Sequence, residues 1–154
     1  MSLPLSSPVG VIVGLLLTSL VFTGCLRDPP PPEDPELAEE LGLPSGTVFH
    51  RIHLAGSGSR TRVLPGAVSL EPGDWVQFIV EDHRVHAIRF LLDEMDSTTV
   101  EYLRRSEQTA SPPLTQRGSR QVFSFVDAPE GLYPFVVEGY GDPVRGSLRV
   151  GRQE

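Results

Sequence analysis

The stretch Val68-Ser69-Leu70-Glu71-Pro72-Gly73-Asp74-Trp75-Val76-Gln77-Phe78-Ile79-Val80-Glu81 decides the class of fold. Its centre, Glu71-Pro72-Gly73-Asp74, has proline second and glycine third, which suits a type II turn. The residues after this turn alternate, with Val76, Phe78 and Val80 on one face and Trp75, Gln77 and Ile79 on the other. A period of two reads as a half-buried strand. Upstream, from Thr47, Val48, His50, Ile52 and Leu54 share one phase, and Phe49, Arg51 and His53 the other. Gly56-Ser57-Gly58-Ser59 reads as a loop. It is no phosphate-binding fingerprint, because it is succeeded by no third glycine and no helix signal. Downstream, Asp82-His83-Arg84-Val85 is a polar break, and His86, Ile88, Phe90 and Leu92 then fall in phase. Strands are expected at Gln121–Val126, Leu132–Glu138 and Gly146–Val150, with Asp127-Ala128-Pro129-Glu130-Gly131 as a hairpin-type connection. One short helix is expected around 98–106. Asp96 and Ser97 are its cap candidates, and Thr98 with Glu101 has capping-box spacing. The expected fold is all-β, a sandwich of about seven strands with that helix inserted.

The chain has 154 residues, which suits one domain. All 13 basic residues are Arg, so lysine Schiff-base and P-loop chemistry are excluded. A single cysteine excludes internal disulfides and multi-thiolate metal centres. The acidic isoelectric point near 5.1 argues against a nucleic-acid partner. Most of the net charge of −7 is local. Residues 26–46 carry one Arg against six Asp and Glu, a net of −5. Asp28-Pro29-Pro30-Pro31-Pro32-Glu33-Asp34-Pro35 reads as a stiff spacer, since consecutive prolines favour polyproline II. Pro35–Leu41 has the makings of a helical turn with Pro near its start, and its acidic face reads as solvated tether.

Ahead of this spacer, Val9–Phe22 is a run of 14 apolar or small residues, short for a membrane span and suited to a signal-peptide core. Thr23-Gly24-Cys25 comes next. It resembles a bacterial lipobox, whose cysteine is acylated and becomes the new amino terminus. Phe22 stands where Leu is usual, and Met1–Pro8 has neither Lys nor Arg. The expected organisation is a signal peptide over 1–24, the lipobox cysteine and linker over 25–46, and the domain over 47–151. The alternative is an uncleaved anchor helix. Either reading places the domain outside the cytoplasmic membrane, in the bacterial cell envelope.

Two blocks carry a further resemblance. The first is Val68–Phe78 with His86 beyond it. The second is Ala128-Pro129-Glu130-Gly131-Leu132-Tyr133-Pro134-Phe135-Val136-Val137-Glu138-Gly139-Tyr140, continued by Gly146–Val150. Together they resemble the cupredoxins, the plastocyanin and azurin type of blue-copper domain, over about residues 47–151. The resemblance implies a Greek-key β-sandwich. It also implies four copper-ligand positions, which fall on His86, Val137, Tyr140 and Val144. Only His86 keeps a ligand residue. Blue copper needs a thiolate and two imidazoles with a weak axial ligand. Val137 has no lone pair, and Val144 does not replace a thioether. No standard type 1 copper site is therefore expected, and no cofactor.

Other chemistry is thinly represented. His83 and His86, beside Glu81 and Asp82, form a His-x-x-His pair that could serve copper or zinc if a third ligand were found. His50 and His53 have the same spacing, but on a strand it directs the rings to opposite faces. Asp93, Glu94 and Asp96 lack the glycine and terminal glutamate of a calcium loop. No Gly-x-Ser-x-Gly elbow is present, and no enzyme is expected. Arg104 and Arg105 read as a solvated face, and Tyr133 and Phe135 as core. The expectation is a lipid-anchored binding or scaffolding module with a protein partner in the envelope. The alternative is a copper-binding or electron-transfer protein using His86 and His83, with His50 as a third candidate.

Overall fold

The computed structural model describes residues 33–139 and 141–151. The expected signal segment, Cys25 and Tyr140 lie outside them. The fold is mostly β, a sandwich of two four-stranded sheets with one short helix inserted. The strands are β1 (Phe49–Ser57), β2 (Arg60–Leu64), β3 (Ala67–Leu70), β4 (Trp75–Val80), β5 (His86–Phe90), β6 (Arg120–Ser124), β7 (Gly131–Gly139) and β8 (Val144–Val150). The first sheet has the order β2-β1-β4-β6 and the second β3-β8-β7-β5. β1 pairs with β4, and β3 with β8, in parallel; the other neighbours are antiparallel. This is the β-sandwich with a short inserted helix expected from the sequence.

The turn at Glu71–Asp74 closes as its residues dictate. The Asp74 N–H donates to the Glu71 carbonyl at 3.0 Å, and Gly73 takes a φ of 106°. The two phases of β4 separate as expected. Val76, Phe78 and Val80 are buried between the sheets with Ile52, Leu54, Ile88, Phe90, Phe123, Phe135, Val137 and Leu148. Phe78 meets Phe123 and Phe135 edge-on, with ring centroids 5.7 and 5.2 Å apart. Such pairs add about 0.5–1.5 kcal/mol each beyond their buried area. Tyr133 and Phe135 lie in the core as expected.

Among the described residues there are eight strands where about seven were expected. The additional one is β2, whose outward side chains include Arg60 and Arg62 and whose inward ones are Thr61 and Val63. One inward apolar residue, with Leu64 apolar on the exposed side, gives an edge strand too weak an alternation to read. The helix α2 (Ser97–Arg105) is capped by Asp96, which accepts from the Thr98 and Thr99 N–H groups. The capping-box spacing of Thr98 and Glu101 is therefore not what starts it. Arg104 and Arg105 are exposed in its last turn, as expected, where cations suit the helix dipole. Tyr102 ties α2 to the sandwich by donating to the Ser124 carbonyl at 2.8 Å.

The described part of the acidic linker forms the helical turn expected at Pro35–Leu41 but does not stand off as tether. Pro35–Glu40 forms a helix, α1, that lies against the outer face of the first sheet rather than standing free as tether. Leu37 and Ala38 are buried there with Phe49, and Leu43, Trp75 and Val122 pack around them. Asp34 caps α1 by accepting from the Leu37 N–H at 3.1 Å. Its other carboxylate oxygen lies 3.0 Å from Arg51 and 3.9 Å from Arg120. The packed unit thus includes Glu33, which bridges Val48. Among the described residues no helix is long and apolar enough to cross a membrane.

Candidate functional site

The two ends of the sandwich differ. β1 and β4 start side by side at Phe49 and Trp75 and run in parallel to Leu54 and Val80. Beyond Val80 the chain crosses to the other sheet through Asp82–Val85 and enters β5 at His86. In the second sheet His86 stands opposite Gly139, and Val137 opposite Val144. His86, the 82–85 crossing, the β1–β2 hairpin tip, Gly139 and residues 141–144 therefore share one pole. Gly141 lies so close to the Ser59 carbonyl that a Cβ there would collide with it.

His86 is 0% exposed. Its main chain is tied to Leu114 both ways, at 2.9 and 2.7 Å. That tie belongs to the 109–114 segment, which lies along the outer edge of β5. The imidazole Nε2 is 2.8 Å from Asp82 Oδ1. Burial pushes the Asp82 carboxyl up, but hydrogen bonds from His86 and from the Arg84 and Gly56 N–H groups more than offset it. The net direction is downward. An ionised carboxylate only accepts, so Nε2 carries the hydrogen, and in the neutral ring the lone pair sits on Nδ1. Nδ1 has no hydrogen-bond partner among the described residues, and neither does Asp82 Oδ2. A Cβ on Gly139 would run into the Val85 carbonyl oxygen and stand 3.5 Å from Nδ1. Glycine there lets the strands close over the ring.

The other expected site residues scatter. His83 is exposed in the crossing loop, so the His83–His86 pair is not assembled. His50 lies toward the opposite pole, 2.7 Å from Asp74, and His53 bonds Glu81 at 2.6 Å. Among the described residues, no group of three or more His, Cys, Asp and Glu is placed to hold a metal ion. Val137 is fully buried, and Val144 is partly buried against the core.

The fit of a type 1 copper ion can be judged position by position. The bare Nδ1 of His86, oriented by a carboxylate on the far nitrogen, is how a ligating imidazole is usually held. Val137 and Val144 bring only alkyl groups. The described donor set does not fit that ion.

A second buried polar group was invisible in the sequence. Gln77 sits on the outer face of β4, where alternation alone predicts exposure, yet it is 0% exposed. Neither amide atom has a hydrogen-bond partner among the described residues. Its register neighbours are Arg51 and Val122, and Val122 packs against the cluster that α1 forms with Phe49.

Comparison with solved structures finds cupredoxins. A purple cupredoxin from Nitrosopumilus maritimus shares 18% identity, covering 66% of this chain and 99% of that one, with a TM-score of 0.45. A mutant plastocyanin of fern shares 15%, covering 66% and 99%, with a TM-score of 0.48. Pseudoazurin from Methylobacterium extorquens shares 16%, covering 69% and 77%, with a TM-score of 0.42. Superpositions this loose transfer no ligand and no residue role, and the sandwich described above rests on its own strand pairing. No protein-family model matches the chain, and no curated protein does.

Proposed function

We infer that this chain is a lipid-anchored protein of the bacterial cell envelope, held through Cys25, and that its cupredoxin-like domain works as a binding or scaffolding module without type 1 copper. The observation that carries the reading is the state of His86. It is fully buried and tied to Asp82, and the neighbouring ligand positions Val137 and Val144 are alkyl. Copper electron transfer needs a thiolate on the metal. The only cysteine of the chain is Cys25, in the lipobox. The reading is non-enzymatic, with a protein as partner and no nucleic acid.

The test is metal analysis of the detergent-solubilised full-length protein after copper loading. No stoichiometric copper is expected. Tight stoichiometric copper that disappears in His86→Ala would support a copper-binding function instead, a reading favoured by the unpartnered Nδ1 alone. An intense thiolate–copper band would overturn both. For the anchor, cells expressing the chain should incorporate palmitate, and Cys25→Ser should not. An unlabelled wild-type chain removes the lipoprotein reading.

A further inference from the structure

The first sheet ends on β6 and the second on β5. Thr109 bonds Phe90 of β5 while its neighbour Gln108 bonds Ser124 of β6, so the two edges lie on one side of the sandwich. They are finished differently. Residues 109–114 cover β5 with main chain, bonding Phe90, Ile88 and His86. β6 is met by side chains instead. An antiparallel strand turns the peptide groups of alternate residues toward its partner. Ser119 accepts from the Val80 N–H, and Phe125 bonds Gly73 and Asp74. The odd-numbered residues therefore face β4, and Arg120, Val122 and Ser124 turn their peptide groups to the open edge. The Ser124 N–H donates to Gln108 Oε1 at 2.6 Å, and Gln108 Nε2 donates to the Ser124 carbonyl at 3.1 Å. The side-chain amide thus meets Ser124 as the peptide group of a neighbouring strand would. The Tyr102 hydroxyl donates to the same carbonyl at 2.8 Å.

The way α2 ends delivers Gln108 to this position. The Glu107 N–H closes on the Arg104 carbonyl and the Gln108 N–H on the Leu103 carbonyl, the bond pair of a Schellman turn. Such a turn needs a left-handed residue, and Glu107 takes that conformation at a φ of 56°. Glycine would adopt it at less cost. We propose that Gln108 stands in for a neighbouring strand and so keeps β6 from pairing with the β6 of a second copy of this chain. An open edge is a template for another strand, and β6 suits itself as partner. In an antiparallel two-fold pair centred on Val122, Val122 meets Val122, and Arg120 of each copy meets Ser124 of the other. No arginine then faces an arginine. With Gln108 seated on Ser124, both Arg120–Ser124 pairs are blocked. Only the central Val122 pair is left, and there Gln121 Nε2 already lies 3.0 Å from the Val122 carbonyl. Moving the Gln108 side chain aside opens the edge without breaking any bond between β6 and β4.

The experiment follows the mass of the full-length protein in detergent micelles by sedimentation over a concentration series, together with amide exchange. In the wild type the Ser124 amide is expected to be protected, because Gln108 accepts its hydrogen. A Ser124 amide exchanging at the rate of an unprotected peptide overturns the proposal without any variant. Gln108→Ala removes the side-chain amide, and Gln108→Asn retains it on a shorter stem that falls short of Ser124. Both variants are expected to self-associate about tenfold or more tightly than the wild type, as recovered edge bonds add to association. Adding Ser124→Pro deletes an outward N–H and leaves the β4 ladder intact, so it should return either variant to the wild-type mass. Circular dichroism confirms that each protein compared keeps its sandwich. Folded Gln108 variants that self-associate no more tightly than the wild type overturn the proposal. So does a dimer that survives Ser124→Pro, since it uses another surface.

Discussion

Among single residues, His86 and Asp82 are the pair on which the chemistry of the pole turns. Asp82→Ala would leave the buried Nε2–H without an acceptor, a loss of about 1–3 kcal/mol. Urea denaturation at neutral pH should show that loss, and Asp82→Asn, which keeps an acceptor oxygen, should show less. The Asp82 carboxyl is lowered from 3.8 in the folded chain. Its contribution is therefore complete above that ordinary value and declines as pH falls through the lowered one. That share of the pH dependence should disappear in Asp82→Ala. At this scale the sequence showed which residue types stand where the resemblance implies ligands, because Val137 is a valine in any fold. It did not show that His86 would be sealed from solvent while His83, three residues earlier, stayed exposed. That difference arises because β5 begins at His86 and directs its ring inward, whereas His83 lies in the crossing between sheets.

Among the elements, α2 shows how far local signals reach. Its extent was legible to within a residue, from the cap candidates Asp96 and Ser97 ahead of it. Thr98 was a plausible start by spacing, but Asp96 already accepts from the Thr98 and Thr99 N–H groups, and the carboxyl is held at about 2. The hydrogen bond from the Thr98 hydroxyl, and after it the one from the Thr99 N–H, is what lowers it. The cap should act fully above about 3.8 and fade as pH drops toward 2, since protonation removes the accepting carboxylate. Amide exchange at Thr98–Val100 should rise over that interval, and Asp96→Ala should show the raised exchange at every pH. The edge strand β2 was not legible, because its outward arginines and single valine carry little alternation. It exists because β1 offers it an antiparallel partner.

For the whole molecule, the described residues form two separate buried clusters, a large one between the sheets and a small one under α1. A cluster of three buried residues with a few partners should open well before the sandwich does. Leu37→Ala is expected to speed amide exchange from Leu37 to Leu43 while protection at Ile52 and Phe78 is retained. Loss of protection at both sites together would show the clusters to be one cooperative unit. As pH falls through the lowered Asp34 value, its ion pair with Arg51 is lost, so exchange under α1 should also quicken in acid. By itself the sequence determined the class of fold, the inner faces of β1, β4 and β7 and the absence of a thiolate from Val137. Each comes from residue identity and a two-residue period. Only the tertiary structure decided that Phe49 and Gln77 would be buried on the outer face, that the acidic linker would dock there, and that the four histidines would be dispersed. Those outcomes depend on which surfaces the parallel pairing of β1 with β4 brings together, and no local window of the chain encodes that.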